Sequence, residues 1–337
     1  MPTPAGLKTI QCLRSENMQS EELSNPFVAF QKDLCGLLVG RETLVERLII
    51  ALLTRGHVLI EGAPGLAKTR SVKLFATGVA AGFSRIQFTP DLLPSDLTGT
   101  QVYMPNKGAF DFHAGPLFSN IVLIDEVNRA PPKVQSALLE VMAEQQITVG
   151  GETRNLEDPF MVVATQNSIE HEGTYPLPEA QLDRFLFTVE LDLPNLEEEQ
   201  QILELALSEA PGEALKLNHQ VTPGQLQQAR QAVSTIYVSP AILRYISELT
   251  CATRKLDNNP QNGSIEYPAS PRASIGMAMA GRARAWLAGR DHVLPEDVFE
   301  LAPDILCSRI GLSYRAKAEG AKVRDLIANI LRSVAPV

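Results

Sequence analysis

A chain of 337 residues, 45% of them apolar, is long enough for one large domain and a smaller one, and it carries the material for a substantial core. Its formal net charge of −9 gives no electrostatic argument for nucleic acid, and its four cysteines, Cys12, Cys35, Cys251 and Cys307, lack the Cys-x-x-Cys pairing of a zinc site or a disulfide framework. The N-terminus has no stretch long enough for a secretory signal and the run Leu48–Leu53 is far too short to cross a bilayer, so the expectation is a cytoplasmic protein with reduced thiols.

Residues 1–24 are polar, hold Pro2, Pro4 and Gly6, and read as a mobile tail. Phe27, Phe30, Leu34 and Leu38 predict a helix that Val39-Gly40-Arg41 interrupts. Leu44, Val45, Leu48, Ile49 and Leu52 predict a second helix ending at Arg55-Gly56. The Val39-Gly40 turn is either a place to meet an adenine or a plain helix–helix corner; spacing alone leaves both open.

Next comes the stretch that organises the chain. The apolar run Val58-Leu59-Ile60 predicts a buried strand, Gly62-Ala63-Pro64-Gly65-Leu66-Ala67-Lys68-Thr69 a phosphate-binding loop, and Arg70–Ala76 a helix. A helix start offers unpaired backbone N–H groups and a positive dipole end to an anion. Gly62 and Gly65 let the backbone curl round phosphate, Lys68 can reach the outer phosphates, and the Thr69 hydroxyl suits Mg²⁺. Ala67 stands where a glycine is usual, and it is small enough for the loop to survive.

Arg85–Phe88 predicts a short strand and Thr89–Thr100 a structured loop or interrupted helix. Gln101–Met104 and Ala109–His113 alternate around Asn106-Lys107-Gly108, which predicts a hairpin. Ile121–Ile124 predicts a buried strand that ends in Asp125-Glu126, and ligands of open α/β sheets sit at that end. Asp125 can hold Mg²⁺, while Glu126 can orient or deprotonate the attacking water. Pro131-Pro132 open a helix, and Gln146–Leu156 turn at Gly150-Gly151 into another hairpin. Phe160–Ala164 predicts a buried strand with Asn167 just past its end; the amide either positions water or simply ends the strand. Arg184 either reaches across a subunit boundary or pairs with Asp183. Phe185–Leu193 reads as the last strand, and Glu197-Glu198-Glu199 as the solvated start of a helix rather than a metal site. From Thr222 helical spacing dominates, with starts at Thr222-Pro223, Ser239-Pro240, Ser270-Pro271 and Leu294-Pro295. The expected division is a tail over 1–24, a nucleotide-binding core over 25–195, a connection over 196–221 and a small all-helical domain over 222–333.

Five strings taken together resemble the MoxR family of AAA+ ATPases: Gly62–Thr69, Gln87–Asp96, Leu123–Ala130, Leu177–Phe185 and Ser270–Ala273. The resemblance runs from about Val39 to about Leu312, and the family's own loop also places alanine before the lysine. It implies an α/β fold, an αβα P-loop core on a parallel sheet with a smaller helical C-terminal lid. It implies ATP and Mg²⁺ as ligands, bound at the interfaces of a homo-oligomeric ring, usually a hexamer. By motif, Lys68 resembles the Walker A lysine, Asp125 and Glu126 the Walker B pair, Asn167 sensor 1, Arg184 the arginine finger and Arg272 sensor 2. Thr69 with Asp125 would face the metal, and residues 62–69 with Val39 and Gly40 the nucleotide. Both hairpins resemble inserts that face the pore of related rings. The family's activity implies chaperone-like remodelling or activation of protein clients, often with a von Willebrand A domain partner. A nucleic-acid motor or a slowly hydrolysing scaffold is the alternative. In one place the sequence departs from the family pattern: Cys307-Ser308-Arg309 stands where Arg-His-Arg is often found.

Overall fold

The computed structural model describes residues 25–106, 108–167, 174–208, 217–257 and 264–335. The predicted tail and the hairpin tip at Lys107 lie outside them.

In chain order, helices α1 (Pro26–Leu37) and α2 (Glu42–Thr54) precede strand β1 (Val58–Gly62). Helix α3 (Lys68–Gly78) leads to β2 (Phe83–Gln87), and the single turn α4 (Pro94–Thr98) to the hairpin β3 (Gly99–Met104) and β4 (Ala109–Ala114). Then come β5 (Ile121–Asp125), α5 (Pro132–Glu144), the hairpin β6 (Gln146–Val149) and β7 (Glu152–Asn155), β8 (Met161–Gln166), the short α6 (Glu179–Leu182) and β9 (Phe187–Leu191). Helix α7 (Leu196–Ser208) is followed by α8 (Pro223–Thr235), α9 (Pro240–Asp257), β10 (Ile265–Tyr267), α10 (Pro271–Leu287), α11 (Pro295–Leu306), β11 (Gly311–Leu312), α12 (Tyr314–Ala318) and α13 (Val323–Ser333).

Five strands form one parallel sheet in the order β2-β5-β8-β1-β9. Continuous apolar strands are what a sheet covered on both faces requires. Val58, Ile60, Leu123 and Val163 face the layer that holds α1, α2 and α3, whereas Leu59, Val122, Ile124 and Val162 face α5. Each of these side chains is fully buried, which is worth on the order of 2 kcal/mol apiece. Because the strands run the same way, Gly62, Gln87, Asp125 and Gln166 all arrive at one edge. The molecule is an α/β protein with a helical C-terminal region.

That region shares the core of the α2 face, and ion pairs fasten it there. Asp304 of α11 binds Arg47 of α2 at 2.9 Å and Arg324 of α13 at 3.1 Å, and Arg324 continues to Glu190 of β9 at 2.9 Å. Asp304 and Arg47 are both buried, so losing one partner would strand the other's charge. The alanine-rich helix α10 sets Ala273, Met277, Ala280 and Ala283 in the core. One detail departs from the all-helical expectation: β10 and β11 pair antiparallel. Two and three residues are too few to carry a readable period, and Gly311 is needed there because a Cβ would sit 2.1 Å from the Tyr267 ring.

The two hairpins brace each other. Arg154 of β7 lies over the Phe112 ring at 4.3 Å, and the Gly150 turn abuts the Gln101 side chain. Their outer surface is aromatic: Tyr103 and Phe110 are cross-strand partners, edge to face at 5.4 Å, and both are exposed.

Candidate active site

Strand β1 ends at Gly62, and α3 begins at Lys68, so Ala63–Ala67 form the loop between a parallel strand and a helix start. Ala67 closes the loop in left-handed backbone, φ 55°, and its carbonyl accepts from Ser71 N at 2.9 Å. The Lys68 ammonium donates to Gly62 O at 2.7 Å and Gln166 O at 3.3 Å, which bends it back over the loop. Burial pushes its pKa down, opposed by Asp125, Glu126 and Glu61. A desolvated ammonium with carboxylates around it is held where an added phosphate would meet it.

Asp125 and Glu126 follow at the end of β5. Thr69 Oγ1 donates to Asp125 Oδ2 at 3.5 Å and Thr165 Oγ1 to Asp125 Oδ1 at 3.3 Å, so the carboxylate joins the loop to β8. Arg85 of β2 also binds Asp125 Oδ2, at 2.6 Å. Glu126 takes left-handed backbone, φ 57°, and its N–H is fixed by Thr165 Oγ1 at 3.1 Å. Its carboxylate accepts from Gln87 Nε2 at 2.7 Å and pairs with Arg129 at 3.0 Å. Asn167, buried just past β8, lines the same cleft of about 510 Å³. Sequence reasoning missed Arg85, Gln87 and Thr165. The β2–β5 register that sets Gln87 opposite Asp125 joins distant segments and left no local signal in the sequence.

An apolar pocket of about 320 Å³ adjoins this cleft and shares residues 64–67 with it. Val39, Leu38, Leu193 and Ile202 line it, so the turn before α2 borders an apolar pocket next to the phosphate loop. Gly40 is not among the lining residues; it shapes the turn. Its φ is 67°, and a Cβ there would lie 2.8 Å from the Glu198 carboxyl group. Helix α7 is therefore a wall of the pocket, a role its acidic opening concealed. Asn195 caps it, accepting from Glu197 N and Glu198 N at 3.0 Å.

Two oxygens, Thr69 Oγ1 and Asp125 Oδ2, converge beside the phosphate loop. Among the described residues no group of three or more His, Cys, Asp or Glu could hold a metal. One carboxylate and one hydroxyl fit Mg²⁺, which is commonly shared between a few protein oxygens and substrate phosphates.

Arg184 and Arg272 lie elsewhere. Both line a second cleft, of about 250 Å³, with Arg55, His57, Asp183 and Arg309, and no residue of this cleft lines the phosphate cleft. Gly56 and His57 precede β1 and the phosphate loop follows it, so the two clefts lie at opposite ends of a strand roughly 15 Å long. Arg184 donates to Leu139 O at 2.8 Å rather than pairing with Asp183. Asp183 instead accepts from Ser270 Oγ, the cap of α10, and from Arg309 Nε at 2.9 Å, with Arg272 at 3.8 Å. Arg309 also donates to Leu186 O, Phe185 O and Ile305 O. Segment 183–186 and the start of α10 are thus one fastened unit.

Residues 57–187 match the model of the ATPase family associated with various cellular activities (AAA), and residues 260–330 match that of the AAA lid domain. The chain is 45% identical over 302 residues to Chaperone MoxR1 of Mycobacterium tuberculosis, covering 89% of this chain and 79% of that one. It is 28% identical over 324 residues to Protein MoxR of Methylorubrum extorquens, covering 90% and 93%. A crystal structure from Cytophaga hutchinsonii, provisionally assigned as an ATPase, superposes with a TM-score of 0.83 at 41% identity, over 96% of this chain and 99% of that one.

Proposed function

The chain belongs to the MoxR family of AAA+ ATPases, and from that premise we propose that it hydrolyses ATP, with Mg²⁺, at the interfaces of a ring built from copies of itself, and uses the cycle to remodel partner proteins. The observation that carries this reading is the separation of the two clefts. Lys68, Asp125 and Glu126 line one, and Arg184 with Arg272 line the other. Among the described residues neither Arg184 nor Arg272 lines the phosphate cleft of its own copy; a neighbour would bring both to it. A six-membered ring is the expected closure, with residues 25–195 as ATPase core and 222–333 as lid.

The chemistry follows from positions. The purine enters the apolar pocket beside Val39 and Ile202, and the loop N–H groups wrap the phosphates. Lys68 exchanges backbone carbonyls for phosphate oxygens, a stronger charge-assisted pairing. Thr69 and Asp125 would hold Mg²⁺, which offsets charge on the β- and γ-phosphates. Glu126 accepts the proton of the attacking water, and Asn167 orients that water. Gln87 and Arg129 hold the Glu126 carboxylate in place until then. Arg184 and Arg272 of the next copy meet the negative charge of the transition state.

Arg184→Ala should bind ATP normally and lose turnover by about 10³-fold. Turnover like that of the parent would contradict the ring reading. The exposed aromatic pair on the first hairpin supports a protein client, since Tyr103 and Phe110 offer apolar surface rather than a basic track. A von Willebrand A domain protein is the expected partner. Among the described residues no helix is long and apolar enough to cross a membrane, and free Cys35, Cys251 and Cys307 suit a cytoplasmic setting.

A further inference from the structure

Helix α10 carries a stripe that the described residues leave open. Arg272, Ile275, Met279 and Arg282 recur at spacings of three, four and three, which sets them on one helix face. Ile275 is 59% exposed and Met279 42% exposed. The Arg282 Nε is buried and makes no hydrogen bond, a costly state for a guanidinium nitrogen. Arg55 and Arg230 line the same cleft of about 210 Å³ as Met279 and Arg282. Asp158 pairs with Arg55 and Arg230 but not with Arg282, so among the described residues this surface carries three guanidinium groups to one carboxylate and keeps an excess of positive charge.

The matching surface is on α7. Leu196, Leu203 and Leu207 lie seven and four residues apart, hence on one stripe, and are 86%, 56% and 86% exposed. Exposed Glu197 and Glu204 flank this stripe on one side. On its other side α7 turns Ile202 and Ala206 into the apolar nucleotide pocket. An acidic apolar stripe and a basic apolar stripe on one chain are complementary in charge and in character. Both are exposed in the same copy, so they do not cover each other; two copies placed head to tail would.

We propose that α7 of one copy docks its leucine stripe along the Arg272–Arg282 stripe of α10 in the next, with Glu197 and Glu204 answering Arg282 and Arg55. This rests on the ring reading above and deepens it by naming the contact. The docked helix is also a wall of its own copy's nucleotide pocket. The same contact that seats Arg272 against the neighbour therefore senses whether that neighbour's pocket is filled.

The test is sedimentation velocity of the full chain with ATP and Mg²⁺, in a Glu126→Gln background that keeps ATP bound. Arg282→Glu and Glu204→Arg should each weaken assembly at least about tenfold by removing an opposite-charge pair at the contact. A one-to-one mixture of the two variants should restore it, because alternating copies then pair opposite charges at every interface. Leu203→Asp should weaken assembly and stay unrescued by either variant. Unchanged thermal melts separate loss of contact from loss of fold, and Leu203→Asp serves if a reversal unfolds. Single reversals that assemble like the parent, or a mixture that stays dissociated, would overturn the docking while leaving the ring intact. A parent that remains monomeric with ATP would overturn both.

Discussion

Glu126 and Ala67 both occupy left-handed backbone, at φ 57° and 55°. Neither is glycine, so each costs roughly 1 kcal/mol or more that the rest of the site must offset. At Glu126 the Thr165 hydroxyl holds the N–H, and the carboxylate is turned to Gln87 and Arg129. His57 makes a different point about burial. Its Nδ1 accepts from Val162 N, so Nε2 donates to Met142 O, and full burial pulls its pKa from 6.5 to about 4. The folded imidazole thus stays neutral where the unfolded one takes a proton. Stability is complete above about pH 7 and falls as pH drops from the unfolded value toward the folded one, by on the order of 3 kcal/mol. Urea unfolding at about pH 5 and about pH 7.5 should show this slope in the parent and lose it in His57→Gln. Equal slopes in both proteins would contradict it. Lys68, Thr69, Asp125 and Glu126 were legible because motif and strand end coincide in sequence. Arg85 and Gln87 were not, because their partners sit on a neighbouring parallel strand whose register no local pattern encodes.

At the scale of elements, the apolar runs at β1, β5 and β8 and both hairpins were readable from period and turn residues. The order β2-β5-β8-β1-β9 was not, since it is set by packing between distant segments. Helix α7 read as solvated surface because three glutamates open it, yet its Ile202 side walls the apolar pocket beside the phosphate loop. Arg309 is the clearest case of a long-range contact. It is buried and ties segment 183–186 to α11, while its neighbours Cys307 and Ser308 carry no charge. Burial pushes the Cys307 thiol up to about 11, so it stays protonated. Arg309 therefore fastens the chain on both sides of Arg184, at Asp183 and at Phe185 and Leu186. Arg309→Gln should lower kcat by about 10- to 100-fold with nucleotide affinity unchanged, as expected when a reacting group is misplaced rather than removed. Arg309→Lys should recover part of that loss. An unchanged kcat, or an equal loss in nucleotide affinity, would show the contact to be structural only.

At the scale of the molecule, a parallel sheet sends its strand ends to one edge and leaves the other edge to the segments before the strands. The phosphate loop, Asp125 and Asn167 share the first edge, while Arg184, Arg272 and the start of α10 share the second. On the proposed ring reading, a hydrolysis site divided this way is completed by a second copy. The most direct measurement mixes Glu126→Gln, which retains the arginines, with Arg184→Ala, which retains the phosphate cleft. Each alone should be inactive. Together in equal amounts they should recover up to about a quarter of the parent's turnover, the share of random neighbours that joins both intact halves. Mixtures as inactive as the single variants, at concentrations where the parent turns over, would contradict the account.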